Sequence, residues 1–260
     1  MIGFNHLGRH GRLANQMFQY AALRGIASLK GYNFCIPQSD FKNEWEDHQL
    51  FLTFKLSNLK NIQSLSGNYY QEKQFNYDNE YVENCPDNVN LYGYFQSEKY
   101  FKHIEESIRE DFLFKDEIFD SCKQFFNFDE IISLHVRRTD YVSNSENHPP
   151  CSLEYYEKSL SMFSDNIPVM IFSDDPQWCK EQNLFSSDRF LISENEWNAI
   201  DLCLMSLCTH HIIANSSFSW WGAWLSKSKN VVAPSRWFGD NAYTSQHNTR
   251  DLIPNDWKII

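Results

Sequence analysis

Four short stretches of this 260-residue chain gather side chains that handle anions. Arg137, Arg138 and Asp140 follow the apolar run Ile131–Val136, and Ser173, Asp174 and Asp175 follow Val169–Phe172. Asn215, Ser216 and Ser217 follow His211–Ala214, and Ser235 and Arg236 follow Val231–Ala233. Guanidinium groups grip phosphate oxygens two at a time, while the free N–H groups and positive dipole end of a helix start form a second cradle. A helix beginning near Ser216–Ser217, opposite the arginine pair, would complete a site for a diphosphate. Taken singly, each feature has a plainer reading: adjacent arginines as surface ion pairs, Ser-Ser as a helix cap, Asp-Asp as a helix start. Their recurrence at the ends of successive runs favours the binding site.

The runs themselves imply the elements that position these groups. Ile131–Val136, Val169–Phe172, Phe190–Ile192, His211–Ala214 and Val231–Ala233 alternate with helical candidates at 152–163, 176–182, 198–209 and 220–226. That alternation predicts βαβ units and a parallel sheet, whose ligands bind beyond the carboxyl ends of the strands. Toward the N-terminus, Ile2–Phe4 reads as a strand, Gly8 and Gly11 as a loop, and Leu13, Met17, Phe18 and Ala21 as one face of a helix stopped by Gly31. Short runs at 34–37 and 91–95 read as strands, and Ser97 as the cap of an amphipathic helix reaching about Phe112. Residues 40–90 show no defensible period. A charged, aromatic stretch at 115–129 is the candidate junction, dividing the chain into 1–128 and 129–260.

Composition bounds the partners. Lysines and arginines number 23 against 34 aspartates and glutamates, a formal charge of −11 that makes general nucleic-acid binding and electrostatic membrane docking poor readings. Hydrophobic residues at 42% predict a folded core. Seven cysteines without Cys-x-x-Cys or zinc spacing read as reduced thiols, and no window reads as a signal peptide or membrane span, so the expectation is a cytoplasmic protein. His210 and His211 read as structural rather than metal-binding, since strand neighbours point to opposite faces, and Trp220, Trp221 and Trp224 read as core with sugar stacking as the alternative.

Five motifs together resemble the α-1,2-fucosyltransferase family, glycosyltransferase family eleven. They are Gly11-Arg-Leu-Ala-Asn15-Gln16, Gly93-Tyr-Phe-Gln-Ser97, His135-Val-Arg137-Arg138-Thr-Asp140-Tyr, Phe172-Ser-Asp174-Asp175 and Asn215-Ser-Ser217-Phe-Ser219-Trp-Trp221. The resemblance implies an α/β, GT-B type fold: two Rossmann-like domains facing a central cleft, the N-terminal one on the acceptor side and the C-terminal one holding GDP-fucose. It implies inverting transfer of L-fucose to the 2-hydroxyl of a terminal galactose in a glycan. Carried over by motif, Arg137 and Arg138 are the phosphate ligands and Asp174 or Asp175 the guanine or ribose contact. His135, Asn215, Ser216, Ser217, Phe218 and Ser219 complete the donor site. Gly11, Arg12, Asn15 and Gln16 resemble a loop over the fucose and acceptor, with Asn15 its catalytic side chain. Ala14 stands where the family carries glycine, and its methyl would be strained if the backbone there took a positive φ.

The chemistry points the same way. Cleaving the bond to a diphosphate builds negative charge on the leaving oxygen, where arginines and N–H groups stabilise it best. No Asp-x-Asp pair is present to hold a divalent cation, so neither metal nor cofactor is expected. Asp140 is the first candidate for the base that deprotonates the acceptor hydroxyl and Glu146 the second, while Asp140 reads equally as the partner that aims Arg137. Alternatives are a fucosyltransferase of another linkage or acceptor and a non-catalytic nucleotide-sugar or glycan-binding protein. An NAD-type oxidoreductase lacks its Gly-x-Gly-x-x-Gly turn. The acceptor glycan and the oligomeric state are not legible.

Overall fold

The computed structural model describes residues 1–38, 49–123, 128–241 and 244–260. The chain forms two compact units, Met1–Lys115 with Asn248–Ile253, and Asp116–His247 with Pro254–Ile260. The division falls at the start of the expected junction rather than at 128/129. Its cause is the helix Asp116–Lys123, which buries Ile118 and Cys122, one turn apart, and packs against the helix Asn198–Leu207 of the second unit. Residues 124–127 of that junction, and 40–48 of the segment left open, lie outside the described residues.

The first unit is built on a parallel sheet of β1 (Ile2–Gly3), β2 (Phe34–Cys35), β3 (Asn68–Gln71) and β4 (Val89–Tyr92), in the order β2-β1-β4-β3. The helix Leu13–Lys30 buries almost its whole first four turns and ends, as the sequence predicts, at Gly31 in the left-handed conformation, with the Tyr32 amide donating to the Ala27 carbonyl. Its buried Arg24 meets Asp111, which also accepts from the Tyr20 hydroxyl (3.0 Å) and the Asn58 amide (2.7 Å). Two expectations change here. The strand at 91–95 is shorter and earlier, because Gly93 and Phe95 both take positive φ (157° and 53°) and turn the chain. The helix expected over 97–112 is instead two 3-10 turns, Glu98–Tyr100 and Lys102–Ile104, and a short α-helix, Glu105–Asp111. Tyr100 and Phe101 are both fully buried, and packing into the core overrides the local helical preference there.

The second unit carries a six-stranded parallel sheet of β5 (Ile132–Val136), β6 (Val169–Ser173), β7 (Phe190–Ile192), β8 (His210–Ile212), β9 (Val231–Ala233) and β10 (Lys258–Ile259). The order is β10-β9-β8-β5-β6-β7. The strand order reverses between β5 and β8, the doubly wound arrangement in which the crevice beyond the strand ends takes the ligand. All five residues of β5 are buried, and Ile132, Leu134 and Val136 pack with Val169, Ile171, Ile212 and Val232 in the core. The helix Ser217–Ser226 starts earlier than the predicted 220–226, because Ser216 caps it by accepting from the Phe218 amide. Trp220 and Trp221 are fully buried with rings 4.9 Å apart, so the core reading holds for them. His211, 1% exposed, and His210, beside the Thr209 hydroxyl at 2.8 Å, are structural as expected.

Candidate active site

Register places the anion-handling residues side by side. Leu134 lies opposite Ile212 and Val136 opposite Ser173, so three strand ends deliver Arg137, Asp174 and Asn215 to one level. Arg137 is held by two carboxylates, Asp140 at 2.6 Å and Asp174 at 3.1 Å, and lies over the Tyr141 ring at 5.3 Å. Arg138 pairs through Nε with Asp175 at 3.2 Å and stacks on the Trp178 ring at 3.9 Å. Both side chains are braced by carboxylates and remain about one-fifth exposed.

Asp174 is more committed than its motif implied. Its Oδ1 accepts the Arg138 amide at 2.8 Å, and its Oδ2 accepts the Thr139 hydroxyl at 2.5 Å and faces Arg137. Asp175 caps the helix Pro176–Lys180 by accepting the Trp178 amide at 3.2 Å. Asp174 thus spends both oxygens on the arginine turn, whereas Asp175 divides its two between Arg138 and the helix start.

Behind the arginines, the His135 imidazole joins β5 to the serine-rich helix. Its Nδ1 lies 2.9 Å from Ser219 Oγ, its ring 5.8 Å from that of Phe218, and its carbonyl accepts the Tyr156 hydroxyl at 3.0 Å. Burial first, and then the Arg137 charge, depress its pKa to about 3, so the ring is neutral at physiological pH. Asn215 is an internal clamp: its amide donates to the Pro149 and Trp237 carbonyls at 3.0 and 2.9 Å, and its own carbonyl accepts the Tyr141 hydroxyl at 3.1 Å. The amides beginning the helix Ser217–Ser226 therefore stand at a fixed place beyond β8. Arg236, beyond β9, is tied to exposed Asp240 at 2.7 Å. Glu146 is exposed, and its backbone carbonyl accepts the Asn241 amide.

In the first unit, the stretch expected to be a loop is mostly helix. Gly11 keeps a positive φ of 95° and Arg12 is the exposed cap residue, but Ala14, Asn15 and Gln16 belong to the first turn of Leu13–Lys30. Ala14 is thus in ordinary helical geometry and its methyl is unstrained, which removes the concern raised by the missing glycine. Asn15 Oδ1 accepts from Gln96 Nε2 at 2.9 Å, joining two of the family-like motifs, and Gln16 Nε2 donates to the Gly11 carbonyl at 3.4 Å.

Thr139, Tyr141 and Trp178 were not singled out from sequence. Thr139 and Tyr141 sit inside a motif whose charged members drew the reading, whereas Trp178 is forty residues from Arg138 and gives no local signal.

The family model described as glycosyl transferase family 11 matches residues 1–259. An alpha-1,2-colitosyltransferase of Escherichia coli is 31% identical, over 96% of this chain and 96% of its own length. A galactoside alpha-(1,2)-fucosyltransferase 2 of Rattus norvegicus is 24% identical, over 95% of this chain and 74% of its own. Among solved structures, the alpha-1,6-fucosyltransferase NodZ of Bradyrhizobium, soaked with GDP-fucose, superposes with a TM-score of 0.55 at 15% identity, covering 86% of this chain and 91% of that one. That likeness shows the GT-B fold.

Proposed function

The chain belongs to glycosyl transferase family 11, and from that premise we propose that it moves L-fucose from GDP-fucose to the 2-hydroxyl of a terminal galactose, forming an α-1,2 linkage with inversion. The single observation that carries this reading is the reversal point of the second sheet, where Arg137, Arg138 and the start of the helix Ser217–Ser226 meet beyond β5 and β8. In this reading the two guanidinium groups and the helix-start amides hold the diphosphate. As the bond from the fucose carbon to the β-phosphate oxygen breaks, they take up the charge left on GDP. The acceptor hydroxyl enters on the opposite face, and its proton passes to a base.

Asp140 serves first to aim Arg137, as its 2.6 Å ion pair supports. A base role is tested by Asp140→Asn: an amide keeps an acceptor oxygen for Arg137 but cannot take a proton, so loss of kcat with unchanged GDP-fucose KM marks the base. Asp174 and Asp175 act on donor binding through the arginine turn. Comparing GDP, ADP and UDP as inhibitors of wild type and of Asp174→Asn shows whether either carboxylate also reads guanine.

A second reading changes only the sugar. The bacterial relative is named for colitose, the 3-deoxy form of fucose, so a donor lacking that hydroxyl is the alternative substrate. We further propose metal-independent action in the cytoplasm. All seven cysteines are free thiols, which supports a reducing compartment, and no helix among the described residues is long and apolar enough to cross a membrane. The deciding experiment is incubation with GDP-fucose and a series of galactose-terminated acceptors, with GDP release and product linkage measured. GDP release with an α-1,2 product is expected. Donor retained intact with every acceptor would make the protein a binder.

A further inference from the structure

The first sheet has its own reversal point, between β1 and β4. We propose that His6, His10, Tyr69, Tyr92 and Tyr94 form a seat for one pyranose ring of the acceptor glycan. The inference rests on the transfer reading above and extends it, within the first unit, beyond the Gly11–Gln16 segment.

The five rings converge from three strands. His6 and His10 lie on the chain leaving β1, where Gly8 takes a positive φ of 86°. Tyr92 ends β4 and Tyr94 follows it. Tyr69 lies opposite Asn90, two residues before Tyr92, so the two tyrosines share a sheet face. His6 stands at the centre, stacked with His10 at 5.4 Å and edge-on to Tyr69 at 4.8 Å and Tyr92 at 5.2 Å. His10 meets Tyr92 at 4.7 Å and Tyr94 at 6.4 Å.

Burial separates this cluster from the core. Phe4, Phe95 and Tyr100 are fully buried, whereas Tyr69 and Tyr94 are 53% and 39% exposed, and His6, His10 and Tyr92 are half-buried. Solvent-facing aromatic surface at the ligand end of a parallel sheet leaves apolar area unused in the unliganded protein.

The chemistry suits an uncharged sugar. A pyranose offers a face of C–H groups and a rim of hydroxyls, and these rings offer flat faces with phenol and imidazole groups at their edges. Burial and the neighbouring His10 and Arg9 hold the His6 pKa below its ordinary value, so its ring is a neutral donor and acceptor.

The seat is also pre-set. The Gln19 amide donates to the His10 carbonyl at 3.0 Å and the Gly93 carbonyl at 3.2 Å, tying both sides of the reversal point to one helix. Glu72 accepts the Tyr94 amide at 2.8 Å and the Phe95 amide at 3.1 Å. A Cβ on Gly93 would stand 2.5 Å from the Glu72 side chain, so glycine lets that carboxylate close in.

The test uses Tyr69→Ala, Tyr94→Ala and the double variant of the full chain, with lactose as the acceptor probe. Each single change is expected to raise the lactose KM at least about fivefold while leaving the GDP-fucose KM and thermal midpoint at wild-type values. Tyr69→Phe should keep most of the affinity. Saturation-transfer NMR of lactose on the protein with GDP present reads binding without turnover: contacts seen in the wild type should vanish in the double variant. An unchanged lactose KM, equal changes in both KM values, or no saturation transfer to wild type would overturn the seat. If wild type binds lactose through these tyrosines but transfers nothing to any galactoside, the transfer reading fails and the seat stands.

Discussion

The two sheets reverse their strand order at corresponding places, between β1 and β4 in one unit and between β5 and β8 in the other, but they load those points with different chemistry. Beyond β5 and β8 stand arginines braced by carboxylates and a helix start. Beyond β1 and β4 stand tyrosines and the imidazoles of His6 and His10. The same topological rule makes both places binding edges, and the residues then sort the ligands: formal charge and N–H groups for a diphosphate, ring faces for a neutral sugar. The buried ion pair of the first unit lies instead in its core, where Asp111 gathers Arg24, Tyr20 and the Asn58 amide.

That contrast can be broken most forcefully at Asp111. Asp111→Ala leaves the Arg24 charge buried without its carboxylate and should cost about 3–5 kcal/mol of stability. Hydrogen exchange resolved by unit should show the loss in the first unit. Uniform loss across both would mean that they unfold as one body.

Next comes the arginine pair. Arg137→Ala and Arg138→Ala should each lower kcat/KM for GDP-fucose at least about tenfold, the effect of about 1.5–3 kcal/mol for one charge-assisted contact, with the fold intact. Arg138→Lys should rescue poorly, since it gives up the planar fork that lies over Trp178. Wild-type kinetics in both alanine variants would remove the diphosphate site.

The units should also differ in their response to pH. Burial raises the Glu72 pKa to about 7 from 4.5, outweighing the two amides it accepts. Its contribution to the first unit is therefore full in acid and is lost as pH climbs from about 4.5 through 7. In the second unit, burial lowers His135 and His211 to about 3 from 6.5, so their contribution is full above 6.5 and is lost as pH falls toward 3. Glu72→Gln should flatten the first slope and leave the second. Urea titrations followed by unit-resolved exchange at several pH values would show it, and an unaltered slope would remove the Glu72 assignment.

The smallest expected effect is that of metal removal. If the arginines and amides neutralise the leaving diphosphate, excess EDTA or added magnesium should change the rate less than about threefold, or about 0.65 kcal/mol in barrier. Abolition by EDTA with recovery on adding a metal would overturn that account of the phosphate site.

The second unit was far more legible in the sequence than the first. Strands buried on both faces read as apolar runs, unbroken at Val169–Phe172 and Val231–Ala233 and interrupted only by Ser133 and His135 at Ile131–Val136, so β6, β9 and β5 could be placed. In the first unit the strands read at Ile2–Phe4 and 34–37 hold as the two-residue β1 and β2, but β3, Asn-Tyr-Tyr-Gln with largely exposed side chains, offers no period to read. The broken helix after Ser97 was misread for a related reason: Tyr100 and Phe101 are both drawn into the core, and tertiary packing overrides local helical preference.

The sequence by itself determined which groups stand at the ends of the runs: the arginine pair, the Asp-Asp pair, the serine cap and the glycine stop at Gly31, because caps, turns and buried strands are local signals. It could not determine which ends are neighbours. Whether β5 lies beside β8, and β1 beside β4, depends on pairing residues more than seventy positions apart. The free energy of such pairing lies in shared burial and backbone ladders between distant segments, not in any one of them. Only the tertiary structure therefore decided that Asp174 shapes the arginine turn, that Trp178 lies under Arg138, and that five scattered rings meet around His6.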